Sequence, residues 1–113
     1  MTNDPRFRAG IAHFNAGDFE DAGEAFEELF FEAVREEVAL VRVMLQVSVG
    51  IHHVERGQLR AAVERLEEGL RAIAQVTDDG GYDLEALAGE VRRIIPLIAA
   101  RTPSIRWPQI TAR

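Results

Sequence analysis

The chain has 113 residues, 47% hydrophobic and 28% charged, which fits one folded domain with a modest core and excludes a disordered segment. It has no Cys, so disulfides and thiolate metal sites are excluded, and its formal charge of −6 disfavours a protein that reads the backbone of DNA or RNA. The charge is uneven: residues 1–82 carry 16 acidic groups against 8 Arg, residues 83–113 carry 3 against 5, and all 13 basic residues are Arg.

Apolar periodicity and breaker residues predict five helices and no strand. The opening "MTNDPRFR" is polar and charged, unlike a cleavable apolar leader. The first helix is expected from Asp4 to Ala16, with Pro5 suited to its first turn. The second runs from Asp18, a good N-cap residue, to Arg35. The third runs from Glu37 to Arg56. Its apolar run from Val38 to Val54 is interrupted by Arg42, Gln46, Ser48, His52 and His53, which predicts a buried helix rather than a membrane span. A cytoplasmic protein with no membrane contact follows as an expectation. The fourth helix runs from Gln58 to Val76, and "TDDGGYD" breaks it. The fifth, capped by Asp83, runs from Leu84 to Ala100, and Pro96 is expected to bend it or end it early. The tail "RTPSIRWPQITAR" contains two Pro and should be extended, packing Trp107 in a groove of its own bundle or of a neighbouring subunit.

The first two helices and the next two repeat one pattern at an offset of forty. Ile11, His13, Gly17, Phe19, Ala22 and Phe26 align with Ile51, His53, Gly57, Leu59, Ala62 and Leu66. Glu24, Glu27 and Glu28 align with Glu64, Glu67 and Glu68. Each copy is an apolar stretch, a Gly and an amphipathic stretch, the pattern of a helical hairpin whose first helix ends on a left-handed Gly. The fold class is therefore all-α, a bundle of two stacked hairpins plus a fifth helix. It resembles tetratricopeptide repeats, with a longer period and only two copies.

On a helical wheel Phe19, Ala22, Phe26, Leu29, Phe30 and Ala33 form the core arc of the second helix. Glu20, Glu24, Glu27 and Phe31 form a neighbouring stripe. On the third helix Arg42, Gln46, His53 and Arg56 form one polar seam, and buried polar groups need partners. In an antiparallel hairpin the acidic stripe comes level with this seam, so the two are expected to meet. The seam is then either an internal polar network or a site built from carboxylates and His on facing helices. No Glu-x-x-His or His-Glu-x-x-His spacing occurs, and Arg42 would repel a cation, so no metal and no cofactor is expected. His13 and His52 have no evident partner in the sequence. Ser48 lacks a nucleophile elbow, and "GDFEDAGE" lacks the Lys and spacing of a phosphate loop.

The stretch "FNAGDFEDAGEAFEELF" followed by "VRVMLQVSVGIHHVERGQ" resembles the prokaryotic family known as domain of unknown function 309. Its pattern is close to "FNxGxYFEAHExxEELW" and then "LQGLIQxAxxxYHxxxGN". Phe14, Asn15, Gly17, Ala22, Glu24, Glu27, Glu28 and Leu29 match the first part. Leu45, Gln46, His53 and Gly57 match the second, and the resemblance covers about residues 8–75. Gly23 stands where the family has His, Phe30 where it has Trp, Arg42 where it has Gln, and Val43 where it has Gly. The resemblance implies an all-helical bundle, and no activity comes with it. The resulting expectation is a non-catalytic interaction or scaffold protein, a homo-oligomer (a dimer) or a partner of another protein, with Phe31 and Trp107 as its contact surface. The alternative is a small metal-binding protein or enzyme using Glu24, Glu27, Gln46 and His53. Gly23 is expected to let a neighbouring helix come close.

Overall fold

The computed structural model describes all 113 residues. Its helices are α1 (Pro5–Asn15), α2 (Phe19–Glu32), α3 (Val38–Glu55), α4 (Leu59–Ile73) and α5 (Leu84–Ala99). There are no strands, and each helix packs on its successor along α1–α4, with α5 against α4. The first and second hairpins are therefore α1–α2 and α3–α4, with α2 and α3 packed between them.

The repeat in the sequence is a repeat in the backbone. Gly17 and Gly57 both have positive φ, 85° and 74°. The amide of Asp18 donates to the His13 carbonyl at 2.8 Å, and that of Gln58 donates to the His53 carbonyl at 2.9 Å. These are the same helix-ending bonds in two copies, satisfying carbonyls that the helix leaves open. Asp18 occupies the N-cap position of α2, but its side chain makes no capping bond. At α1 and α5 the side chains of Asp4 and Asp83 do cap, accepting from the amides of Arg6 and Ala86.

The repeat extends to packing. Gly10 of α1 faces the ring of Phe26, and a Cβ there would lie 2.7 Å from Phe26 Cζ. Gly50 of α3 faces Leu66, and a Cβ there would lie 2.9 Å from Leu66 Cγ. Both pairs are related by the offset of forty, so each hairpin closes by seating a large side chain on a bare patch of helix backbone. Gly23 is buried, but a Cβ there would meet only Val49 Cγ2 at 3.4 Å, an ordinary contact, so the approach of α2 to α3 does not require Gly at this position.

The core comprises Phe7, Phe14 and Phe26, the α3 residues Val41, Met44, Val47 and Ile51, and Leu66, Val91 and Ile94, all inaccessible to solvent. Ser48 is equally buried and donates to the Met44 carbonyl at 2.7 Å, so its hydroxyl is satisfied within its own helix. No buried side-chain polar atom lacks a partner.

Three boundaries differ from expectation. α2 stops at Glu32, because Ala33 turns extended, and Val34 is left exposed. α4 stops at Ile73, and Gln75 and Val76 form turns instead. Pro96 does not end α5, which continues to Ala99. Pro96 is exposed, so the carbonyl it cannot serve lies toward water, and the next turn still closes through the bond from the Ala100 amide to the Pro96 carbonyl.

The tail lies on its own bundle. Asn15 accepts from the Ile110 amide at 2.7 Å and donates to the Ile110 carbonyl at 2.9 Å. Trp107 meets Phe19 edge to face, with ring centroids 6.1 Å apart. An antiparallel bridge joins Tyr82 and Ala112, and Arg113 pairs with Asp79 at 2.8 Å. Arg106, the residue before Trp107, lies 3.8 Å from Glu90.

Candidate functional site

The acidic stripe and the polar seam do not meet. Glu20, Glu24 and Glu27 are exposed and make no hydrogen bond or ion pair. Gln46 and His53 are half-buried, and their hydrogen bonds run to α4 and across the Gly57 turn rather than to α2. Gln46 accepts from Arg65 Nη1 of α4 at 3.2 Å, and His53 Nδ1 lies 2.6 Å from Gln58 Oε1 across the Gly57 turn. Arg42 does face α2, but it meets an aromatic ring rather than a carboxylate, its guanidinium lying 5.4 Å from the Phe30 centroid. Arg56 is exposed.

The reason is rotational. At 100° per residue the stripe of α2 centres roughly 140° from the core arc, so it points outward. On α3, Val49 packs toward Gly23 of α2, while Gly50 and Val47 pack against α4. Arg42, Gln46 and His53 lie between these contacts, on the rim of α3, and α4 rather than α2 comes nearer to Gln46.

That rim forms one wall of an open groove of about 700 Å³ between α3 and α4. Phe30, Arg42 and Gln46 line it from α2 and α3, and Arg65 and Arg71 from α4, with Glu64 and Glu68 beside them. Arg71 pairs with Glu68 at 2.6 Å. That hydrogen bond and the nearby Arg71 charge hold the Glu68 carboxyl below its ordinary range, and the Arg42 and Arg65 charges add to the effect. The α4 residues were not singled out in the sequence. Their spacing places them on one side of α4, and Gln46 sits level with Gly69, whose missing Cβ would lie 3.6 Å from Gln46 Cβ.

The outer face of α2 is the second distinctive surface. Phe31 is 81% exposed and Val34 55%, the only large apolar side chains so open. Phe31 continues the line of Glu20, Glu24 and Glu27. On the neighbouring side Glu28 and Glu32 are held by Arg6 of α1, at 3.0 and 2.6 Å. Trp107 is not part of this face, because it is half-buried against Phe19.

The two histidines without evident partners also find neighbours. His52 Nδ1 lies 3.3 Å from Glu55, and His13 Nδ1 lies 4.0 Å from Asp18. Ligand atoms of His13, Asp18 and Asp21 fall within 4.8 Å of one another, with both carboxylates exposed.

A family model described as "Domain of unknown function (DUF309)" matches residues 7–65, just over half of the chain. The matched segment includes Asn15, both repeat glycines, and Phe30, Arg42, Gln46 and Arg65 of the groove. It leaves out Glu68, Arg71, α5 and the tail. No curated protein matches the chain.

Proposed function

The chain belongs to the DUF309 family, whose description assigns no activity, and from its surface we propose a non-catalytic interaction module that docks a partner protein on the outer face of α2. The observation that carries this reading is Phe31, an aromatic side chain 81% exposed at the end of a line of three carboxylates without partners. An exposed aromatic beside Val34 favours burial by a partner, and aromatic anchors contribute strongly when buried. The flanking charge sets the partner's chemistry: a basic segment, helical or extended, with an apolar side chain to cover Phe31. A second copy is a poorer occupant, since two-fold pairing through this face would set Glu20, Glu24 and Glu27 against their own copies. The alternative of a metal-binding protein or enzyme acting through Glu24, Glu27, Gln46 and His53 lacks support, because these four side chains do not converge. The charge balance and the absence of Cys fit a cytoplasmic setting for such a module.

The test is a fluorescence-anisotropy titration of the full chain with a labelled helical peptide carrying Arg at i, i+4 and i+7 and Leu between them. Saturable binding that weakens at least tenfold in Phe31→Ser and in Glu24→Arg, with the chain monomeric by sedimentation, supports the reading. Binding unchanged by both substitutions, no binding at low salt, or a dimer that Phe31→Ser dissociates overturns it.

A further inference from the structure

We infer that the groove between α3 and α4 is a binding site for a small organic anion, a phosphate monoester or a carboxylate with a flat apolar part. The protein carries 19 acidic and 13 basic residues, yet this groove gathers three arginines against two glutamates. One of the three, Arg71, is committed to Glu68. The other two have no carboxylate partner. Arg42 makes no side-chain hydrogen bond or ion pair, is half-buried, and lies over the face of Phe30. Arg65 donates only to the neutral Oε1 of Gln46.

That arrangement leaves the groove with donors to spare. A guanidinium has five N–H groups and no acceptor. Arg42 uses none of them, and Arg65 uses one. Because Gln46 Oε1 accepts from Arg65, the amide of this groove-lining residue is oriented and its Nε2 remains a donor without a partner. Glu68 is hydrogen-bonded to Arg71 and Glu64 is exposed without an ion-pair partner, so three guanidinium charges face two carboxylates and one positive charge stays unbalanced in the groove. Planar guanidinium forks suit the two oxygens of a carboxylate or phosphate. The cation–π contact with Phe30 holds the Arg42 fork in place before any ligand arrives.

The apolar component comes from Phe30. Its ring packs against the core on one side and lines the groove on the other. The volume, about 700 Å³, suits a ligand larger than a bare inorganic ion.

The experiment uses the full chain and two probes, inorganic phosphate and phenyl phosphate, followed by calorimetry and by the Nε–Hε resonances of the arginines. Phenyl phosphate should bind saturably and at least tenfold more tightly than inorganic phosphate, moving the Arg42 and Arg65 resonances. Arg42→Gln and Arg65→Gln should each weaken it about tenfold. Arg92→Gln, at an exposed position of α5, should leave it unchanged, and circular dichroism checks that each variant is folded. No saturation at millimolar phenyl phosphate overturns the inference. So does binding that Arg92→Gln weakens as much as Arg42→Gln, or a response confined to resonances outside the groove.

Discussion

Replacing Gly10 by Ala tests whether the repeat encodes helix contact. The added Cβ would stand 2.7, 2.9 and 3.0 Å from three atoms of the Phe26 ring. Ordinary carbon contacts lie near 3.5–4.0 Å, so about 0.5–1 Å must be recovered. The ring has little room to retreat, because it is fully buried and sits edge-on to Phe7 at 5.5 Å. Overpacking of this kind costs about 1–3 kcal/mol. Ala returns about 1 kcal/mol in helix propensity, leaving a net loss of about 1 kcal/mol, or about 4 °C in Tm. Gly89 of α5 is the control, since it is exposed and a Cβ there meets nothing within 4 Å. Gly89→Ala should stabilise by about 0.5–1 kcal/mol. Urea unfolding of both variants reads the difference as opposite shifts in midpoint at constant slope. Equal stability of the two variants would falsify the claim that Gly10 is present to seat Phe26.

Other substitutions address the remaining links. Arg101 has φ 57° at the end of α5, where its amide and that of Thr102 close the same kind of cap that Gly17 and Gly57 form. Arg101→Gly should therefore raise stability by about 1 kcal/mol, and a drop in Tm would contradict the strain argument. Asn15→Ala removes both bonds to the Ile110 backbone, so Tm should fall by an amount equivalent to about 1–2 kcal/mol and residues 107–112 should exchange amide hydrogens faster. Unchanged exchange there would show that the tail is held without Asn15. Bonds from the Arg6 side chain and amide lower the Asp4 pKa from 3.8 to about 2, and the Arg6 side chain also lowers that of Glu32. Because these folded-state values lie below the unfolded ones, their stabilisation is present above about pH 4.5 and is lost as pH falls toward 2. Arg6→Gln should flatten the Tm profile between pH 4 and 2, and an identical profile would remove Arg6 from the account.

The hairpins were legible because a helix cap writes itself locally. A Gly with positive φ after an apolar run, followed by an amphipathic run, is enough to place the α1–α2 and α3–α4 turns. Gly10 and Gly50 are related by the same offset, but their role depends on which side chain faces them, and only packing supplies that. The polar seam shows the limit more sharply. A wheel places Arg42, Gln46 and His53 on one side of α3. It does not say which neighbour that side meets, because α2 and α4 flank it equally in the pattern. Val49 against Gly23 and Gly50 against Leu66 decide the rotation, leaving Gln46 to Arg65. α2 ended early for a similar reason. Its apolar period continues past Glu32, but Ala33 turns extended to reach α3, and Val34 is left in solvent.

The most direct measurement on the docking face is an amide chemical-shift map of the full chain titrated with the basic helical peptide. The account expects the largest shifts at Glu20, Glu24, Glu27, Phe31 and Val34, saturating together and absent in Phe31→Ser. Shifts centred on the tail, or on the α3–α4 groove with α2 unmoved, would contradict it.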